Sequence, residues 1–264
     1  MNGTDFHSHL IPGVDDGAQD PDEARAALEA LYGEGVRRIV TTPHLDGSLT
    51  TKPGALAERL EALDEGWRKL EAVADAAGLE GLTLGRGVEL KLDTPEVDVS
   101  DPRLRLAGGP YVLVEFPFMS VPPQSARVLR AIRDRGYVPV VAHPERYADV
   151  DERMDVAREW REAGAYLQVN VGSIIGRYGA DAMKNAMTLL SRGWVDSFSS
   201  DYHARGRPRI RDARERLAAL DGEEQAELLL VTNPSRIVRG ELPLPVPPLL
   251  PRQRFWRKLT RVFR

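Results

Sequence analysis

Each of the five histidines in this chain stands in a short motif of metal-ligand type, and most of them close an apolar, β-branched run. They are His7 and His9 in Asp5-Phe6-His7-Ser8-His9, His44 in Thr42-Pro43-His44, His143 in Ala142-His143-Pro144-Glu145-Arg146, and His203 in Ser200-Asp201-Tyr202-His203. Neutral imidazole is the commonest protein metal ligand, and carboxylates complete sites for hard divalent ions. The motifs span nearly the whole chain, so any fold that unites them must return many strand ends to one place.

The apolar runs fall at about 3–6, 36–42, 82–90, 111–116, 137–142, 165–171 and 194–200. Amphipathic segments alternate with them: one opened by Asp20-Pro21-Asp22-Glu23 and ending near Gly33, then 55–77, 122–135, 151–163, 180–192, 208–220 and 222–230. Strands alternating with helices imply parallel pairing and right-handed crossovers. Six of the seven runs end on a ligand type: His7 and His9, His44, Glu89, Glu115, His143, then Asp201 and His203. An open sheet spaces its strands about 4.8 Å apart and would hold the outer ends too far from each other. A closed sheet gathers them on one rim, as barrel enzymes do. The expected fold is therefore α/β, a distorted seven-stranded β/α barrel, in one domain of residues 1–241.

Singly, each motif has an ordinary alternative. His7-x-His9 could be a surface pair, although a spacing of two turns both rings to one side of a strand. Asp15-Asp16-Gly17 could be a plain turn. Glu89 and Glu115 end apolar strands, where an unpaired carboxylate costs several kcal/mol. A neighbouring arginine such as Arg86 would answer that need as well as a metal. Together at successive strand ends, the metal reading is the stronger one.

Composition narrows the chemistry. There is no cysteine, which excludes disulfides, thiolate zinc sites and a cysteine-nucleophile phosphatase. No apolar run approaches the roughly 20 residues of a membrane span, and no signal-peptide pattern opens the chain, so the cytoplasm is the expected compartment. Net charge is −4, yet the six basic residues Arg252, Arg254, Arg257, Lys258, Arg261 and Arg264 follow the last acid, Glu241, and leave a body of −10. Residues 242–264 thus read as a proline-rich linker and a basic amphipathic tail. That tail (252–264) is suited to an acidic partner or, peripherally, to the inner membrane face.

The chain resembles the polymerase-and-histidinol-phosphatase (PHP) superfamily, and within it the bacterial protein-tyrosine phosphatases of capsule and exopolysaccharide loci. The resemblance rests on Asp5-Phe6-His7-Ser8-His9-Leu10-Ile11-Pro12-Gly13-Val14-Asp15-Asp16-Gly17, Thr41-Thr42-Pro43-His44, Gly87-Val88-Glu89, Val114-Glu115-Phe116-Pro117, Ala142-His143-Pro144-Glu145-Arg146-Tyr147 and Ser200-Asp201-Tyr202-His203 with Gly206-Arg207-Pro208. It implies three divalent ions, Mn²⁺ first, with Fe²⁺ or Zn²⁺ as substitutes. One ion would take His7, His9, Glu89 and Asp201; a second Asp16, His44 and His203; a third Glu89, Glu115 and His143. Spacing alone does not separate Asp15 from Asp16; the family pattern selects Asp16. Between His203 and Gly206-Arg207-Pro208 the chain is one residue shorter than that pattern.

Clustered ions turn bound water into hydroxide near neutral pH and clamp phosphoryl oxygens. Arg146 and Arg207 follow ligand histidines by three and four residues, and a guanidinium fork suits phosphate. Either arginine could equally be a surface ion pair. The resemblance implies hydrolysis of phosphotyrosine in proteins without a covalent intermediate, the substrate being a bacterial tyrosine kinase that controls polysaccharide export. The competing readings are a small-molecule phosphatase acting on a compound such as histidinol phosphate, and a scaffold module docking to a membrane kinase.

Overall fold

The computed structural model describes residues 2–250. Its strands are β1 (Gly3–Asp5), β2 (Val36–Thr41), β3 (His44–Asp46), β4 (Thr83–Arg86), β5 (Glu89–Lys91), β6 (Tyr111–Glu115), β7 (Val138–Ala142), β8 (Tyr166–Asn170) and β9 (Ser197–Ser199). The helices are α1 (Pro21–Gly33), α2 (Pro53–Ala77), α3 (Ser125–Asp134), α4 (Asp155–Glu162), α5 (Val171–Ile174), α6 (Ala180–Ser191), α7 (Ile210–Ala218), α8 (Glu223–Glu227) and α9 (Asn233–Val238). Every strand pair is parallel.

Local sequence accounts for the clearest elements. Asp20 caps α1 by accepting from the Glu23 amide at 2.9 Å, and Glu23 reaches back to the Gln19 amide at 2.9 Å. Ala24, Ala27, Leu28 and Leu31 give that helix its buried stripe. Gly78 ends α2 in the left-handed region, at φ 62°. The helix expected from Pro122 begins only at Ser125, because Gln124 lies at φ 64° ahead of it. The segment expected as one helix over 222–230 is α8 followed by a π-helical turn, Leu228–Thr232.

The ladders form two parallel sheets, β1-β2-β4 and β3-β5-β6-β7-β8-β9, and not the single closed seven-stranded barrel sheet that strand count and site placement led us to expect. The predicted strand 82–90 is interrupted, and beyond the predicted strand 36–42 a further short strand, β3, follows. Pro43, which has no N–H to give, separates β2 from β3. Gly87-Val88 separates β4 from β5, where a side chain on Gly87 would meet the Arg105 carbonyl at 3.1 Å. Across these breaks Gly87 N–H donates to Thr41 at 3.0 Å and Glu89 N–H to Pro43 at 3.0 Å. On the other flank a lone parallel bridge joins Ser8 to Tyr202, with Asp201 N–H on the His7 carbonyl at 2.9 Å.

The strands divide their side chains between two cores. Val112, Val114, Val141, Leu167, Val169 and Phe198 pack outward with the helices. Phe6, Val40, Tyr111, Leu113, Val140 and Ala142, drawn from both sheets, pack together on the inner face. Alternation along β6 then places Glu115 on that inner face, one step beyond Leu113. The functional candidates crown this inner core.

The proline-rich stretch lies on the body over residues 242–250. Val246 and Leu249 are buried, and Leu249 N–H donates to the Leu190 carbonyl at 2.9 Å. The basic segment 252–264 lies outside the described residues. Among the described residues no helix is long and apolar enough to cross a membrane.

Trp160 of α4 is fully buried, stacks on Phe116 at 5.3 Å, meets the edge of Tyr147 at 5.8 Å and donates to Ser125 Oγ at 2.8 Å. Trp160→Ala should cost about 3–5 kcal/mol, from the cavity and the orphaned hydroxyl. Urea unfolding checks this; a loss below about 1 kcal/mol would mean that this aromatic cluster does not hold the outer core.

Candidate metal centre

Eight of the nine candidate ligands leave the sheets at the C-terminal end of a strand or open the short strand beyond a break, and Asp16 comes from the loop between β1 and α1. His7 and His9 follow β1, His44 opens β3, Glu89 opens β5, Glu115 closes β6, His143 follows β7, and Asp201 and His203 follow β9. His143 and Asp201 sit at φ 38° and φ 51°, a region that non-glycine residues rarely adopt. At both, the chain is turned so that the side chain falls inward. Gly17 serves the same convergence, since a Cβ there would lie 2.0 Å from the His9 carbonyl oxygen.

Glu89 is the hub. Its Oε2 lies 3.2 Å from His7 Nε2, 3.4 Å from His9 Nε2 and 3.2 Å from His44 Nδ1, while Oε1 lies 2.9 Å from His143 Nε2. Asp201 Oδ1 stands 3.3 Å from His7 Nε2 and 3.6 Å from His9 Nε2. Asp16 Oδ1 faces His44 Nε2 at 3.6 Å and His203 Nε2 at 3.4 Å. Glu115 Oε1 is 3.2 Å from His44 Nδ1. Four ligand-atom groups result: His9-Asp16-His44-His203, His7-His9-Glu89, His7-His143-Asp201 and His44-Glu89-Glu115. All nine predicted ligands are thus in one cluster, with His7, His9, His44 and Glu89 each shared between two groups.

The cluster's bonding tests whether cations fit. Glu89 Oε2, His7 Nε2, His9 Nε2 and His44 Nδ1 are all buried and none has a hydrogen-bond partner, although they crowd together. Lone pairs at 3.2–3.4 Å repel each other unless a proton or a metal ion lies between them. Imidazole nitrogens with carboxylate oxygens form the donor set of borderline divalent ions. The residues present fit such ions.

Electrostatics say the same. Burial pushes the His7 imidazole down, but the carboxylates of Glu89 and Asp201 outweigh it and raise its pKa to about 9. At His9 burial likewise opposes, but the hydrogen-bonded Asp15 and the facing carboxylates of Asp201 and Glu89 outweigh it and hold the ring well above the usual range. Glu89 is held well below the usual carboxylate range, against burial, by His7, His143 and His9. His203, by contrast, is lowered by burial and by the facing His9 ring, 4.0 Å away. Without a cation, the carboxylates draw protons onto the rings.

A surrounding layer fixes which nitrogen faces the hub. Gln168 Oε1 accepts from His7 Nδ1 at 2.8 Å, Asp15 Oδ2 from His9 Nδ1 at 2.8 Å, and the Asp201 carbonyl from His203 Nδ1 at 3.0 Å. Each bond leaves Nε2 with its lone pair toward the cluster, the role such partners play in metal sites. Gln168 donates on to Asn170 Oδ1 at 3.0 Å, and Asn170 to Asp201 Oδ2 at 2.7 Å. Sequence reasoning passed over Gln168 and Asn170; their spacing of two on β8, matching His7-x-His9, was the available signal. The two neighbouring acids also separate here. Asp15 is buried against His9, which brings its pKa down to about 2 against the effect of burial, while the Asp16 side chain is 60% exposed and faces two imidazoles.

Of the two predicted arginines, Arg146 is brought to the cluster, donating from Nη1 to Asp201 Oδ2 at 3.0 Å. Arg207 is not. Its Nη2 pairs with Glu34 at 3.4 Å and Asp212 at 3.5 Å, and its side chain is 60% exposed. Arg205 instead donates to the Asp16 carbonyl at 2.7 Å.

The family model described as "Capsular polysaccharide synthesis, CpsB/CapC" matches residues 3–239. The chain belongs to the CpsB/CapC family. Over 247 residues it is 28% identical to the tyrosine-protein phosphatase YwqE of Bacillus subtilis, covering 92% of this chain and 94% of that protein. It is 29% identical to the tyrosine-protein phosphatase CpsB of Streptococcus pneumoniae over 254 residues, covering 90% and 99%. Crystal structures of those two proteins, described as unique metal-dependent tyrosine phosphatases, supply a match at TM-score 0.74 and 25% identity, covering 93% of this chain and 98% of that one. The phosphotriesterase homology protein of Escherichia coli shares the fold at TM-score 0.54 and 13% identity.

Cation uptake by this cluster should release protons. In the cation-free protein the His7 ion pairs contribute stability that is complete below about pH 6.5 and is lost as pH rises through about 9. A divalent ion must displace that proton, so its affinity rises with pH over the same window. Calorimetric titration of chelated protein with Mn²⁺, in buffers of different ionisation enthalpy, checks the sign. Equal affinity at pH 6.5 and pH 9 would contradict it.

Proposed function

We propose that this CpsB/CapC-family chain is a metal-dependent phosphomonoesterase that hydrolyses phosphotyrosine in proteins. The observation that carries the reading is the buried Glu89 Oε2, without a hydrogen bond among the described residues and surrounded by three imidazole nitrogens from two separate segments. The relatives named as tyrosine-protein phosphatases, and the metal dependence stated for the matching structures, support it.

His7, His9, Asp16, His44, Glu89, Glu115, His143, Asp201 and His203 would hold the ions. We assign three, with Mn²⁺ as first choice and Fe²⁺ or Zn²⁺ as substitutes. Supporting three positions, His44 turns Nδ1 to Glu89 and Glu115 and Nε2 to Asp16, while His143 lies 2.9 Å from Glu89 on the far side. When bound, such ions activate water and neutralise the phosphoryl oxygens.

The protein's own groups do the rest. Arg146, oriented by Asp201 and lying 4.3 Å over the Tyr178 ring, offers its remaining guanidinium N–H groups to phosphate at the rim. Asp201 both faces the imidazoles and holds that guanidinium, so charge clamp and ligand set are fixed by one carboxylate. The leaving phenolate has a pKa of about 10 and departs more readily than an alkoxide, which lessens the need for a dedicated acid. The chain has no cysteine to form a thiophosphate, and water accepts the phosphoryl group directly. Arg207 would join the site only by leaving Glu34 and Asp212.

We also read the two sheets as one interrupted seven-strand circuit, with β2 continuing into β3 and β4 into β5. The inner core shared by both sheets supports that reading. The natural substrate we infer is an autophosphorylated bacterial tyrosine kinase controlling capsule or exopolysaccharide synthesis. Such a kinase uses ATP, which places the reaction in the cytoplasm. The family description supports this context.

A phosphotyrosine peptide assay after chelation and reconstitution tests the reading. Activity should vanish with the chelator, return with Mn²⁺, and fall at least about 10³-fold in His143→Ala, as expected when transition-state charge loses its stabiliser. Full turnover by metal-free protein, or an unaffected variant, would refute it.

A further inference from the structure

We infer that the groove beside Arg146 is a subsite for a basic side chain that flanks the phosphotyrosine in the substrate polypeptide. This deepens the phosphatase reading and rests on it. The groove has a volume of about 660 Å³ and lies between the segments that follow β6, β7 and β8, on the same rim as the cluster. That volume is in the range of sites that enclose a small ligand, ample for one long side chain with some of its backbone.

The walls are apolar where a methylene stem would run, at Met119, Val150, Tyr178 and Ala182. Lys and Arg bury such stems along apolar surface while the charged head seeks acceptors. The charges in the groove have largely paired off. Lys184 is bound to Glu152, Asp151 takes Arg153 at 3.4 Å, and Arg146 is engaged by Asp201 at 3.0 Å. Two acids remain. Asp181, in the first turn of α6, is exposed and has no ion pair or side-chain hydrogen bond among the described residues. Glu145 is 1% exposed; its Oε1 is held by Ser173 Oγ at 2.6 Å and by the Asn170 backbone N–H at 3.1 Å, and its Oε2 has no hydrogen-bond partner among the described residues. A buried carboxylate oxygen without a donor is costly, and an entering ammonium or guanidinium group supplies the missing donors. A carboxylate in the same position would meet the charge of Asp181 and the acceptor oxygen of Glu145 instead.

Geometry ties this groove to the reaction. Arg146 lines it, stacks on Tyr178 inside it, and reaches Asp201 of the cluster with the same guanidinium. A phosphate at the cluster and a side chain in the groove are therefore separated by one arginine, a span that neighbouring residues of a single peptide cover.

The test uses the full chain, reconstituted with Mn²⁺, on paired phosphotyrosine peptides that carry Lys or Glu at each flanking position in turn. At one flank kcat/KM should favour Lys over Glu by about ten-fold, on the order of one charge-assisted contact. Asp181→Lys, a change at an exposed helix position, should bring that ratio to about one or invert it. A general loss of folding would lower both peptides together and leave the ratio intact. A ratio near one at every position, or a ratio unmoved by Asp181→Lys, overturns the subsite while leaving the phosphatase reading standing. Failure to hydrolyse any peptide of either series, with p-nitrophenyl phosphate still turned over, would instead overturn the protein-substrate reading on which the subsite depends.

Discussion

The structure depends on one buried carboxylate. Glu89 is almost wholly removed from water, and its Oε2 faces three imidazole nitrogens without a hydrogen bond to any of them. Removing an ion from water costs several kcal/mol even after relaxation, and nearby lone pairs make matters worse. Such an arrangement persists only if positive charge is supplied. Protons on His7 and His9 supply part of it in the bare chain, as the raised pKa values of both rings show. Divalent ions would supply it more fully, since four carboxylates (Asp16, Glu89, Glu115 and Asp201) converge here.

The fold spends much of its local irregularity on that convergence. Both short strands beyond the breaks open on a candidate ligand, His44 in β3 and Glu89 in β5, and these two are register partners. The left-handed residues His143 and Asp201 turn β7 and β9 inward at the same level. Around them Gln168 and Asp15 lock ring orientation, with Asn170 holding Gln168, so the Nε2 atoms of His7 and His9 already face the cluster. Arg146 completes the rim because its anchor, Asp201, belongs to the cluster itself.

Much of this was legible in the sequence, for a physical reason. Ligands that must meet at one rim have to lie just past apolar strands, and strands of buried Val, Leu and Ala are easy to read in β6 and β7. What was not legible depended on contacts between distant segments. The break at Gly87 lies where the chain packs closely against Arg105, and the short strand β3 beyond Pro43 forms only by pairing with β5, so the sequence reads as a closed sheet that the ladders do not form. Asp15 and Asp16 are neighbours of identical type, and only His9 on one side and His44 with His203 on the other give them separate roles. Arg207 finds Glu34 at the end of α1, a partner far away in sequence, while Arg205 donates to the Asp16 carbonyl instead. The proline-rich stretch reads as a linker, yet Val246 and Leu249 have an apolar surface to cover and lie down on it.

The central claim is that the imidazoles and acids around Glu89 form a cation centre. Anomalous diffraction at the manganese edge, from crystals grown with Mn²⁺, tests it most directly. The account predicts strong peaks about 2.0–2.3 Å from nitrogen and oxygen atoms of His7, Glu89, His143 and Asp201, the usual range for such ligands. Peaks confined to other parts of the surface, with this cluster unaltered and empty at saturating Mn²⁺, would contradict it.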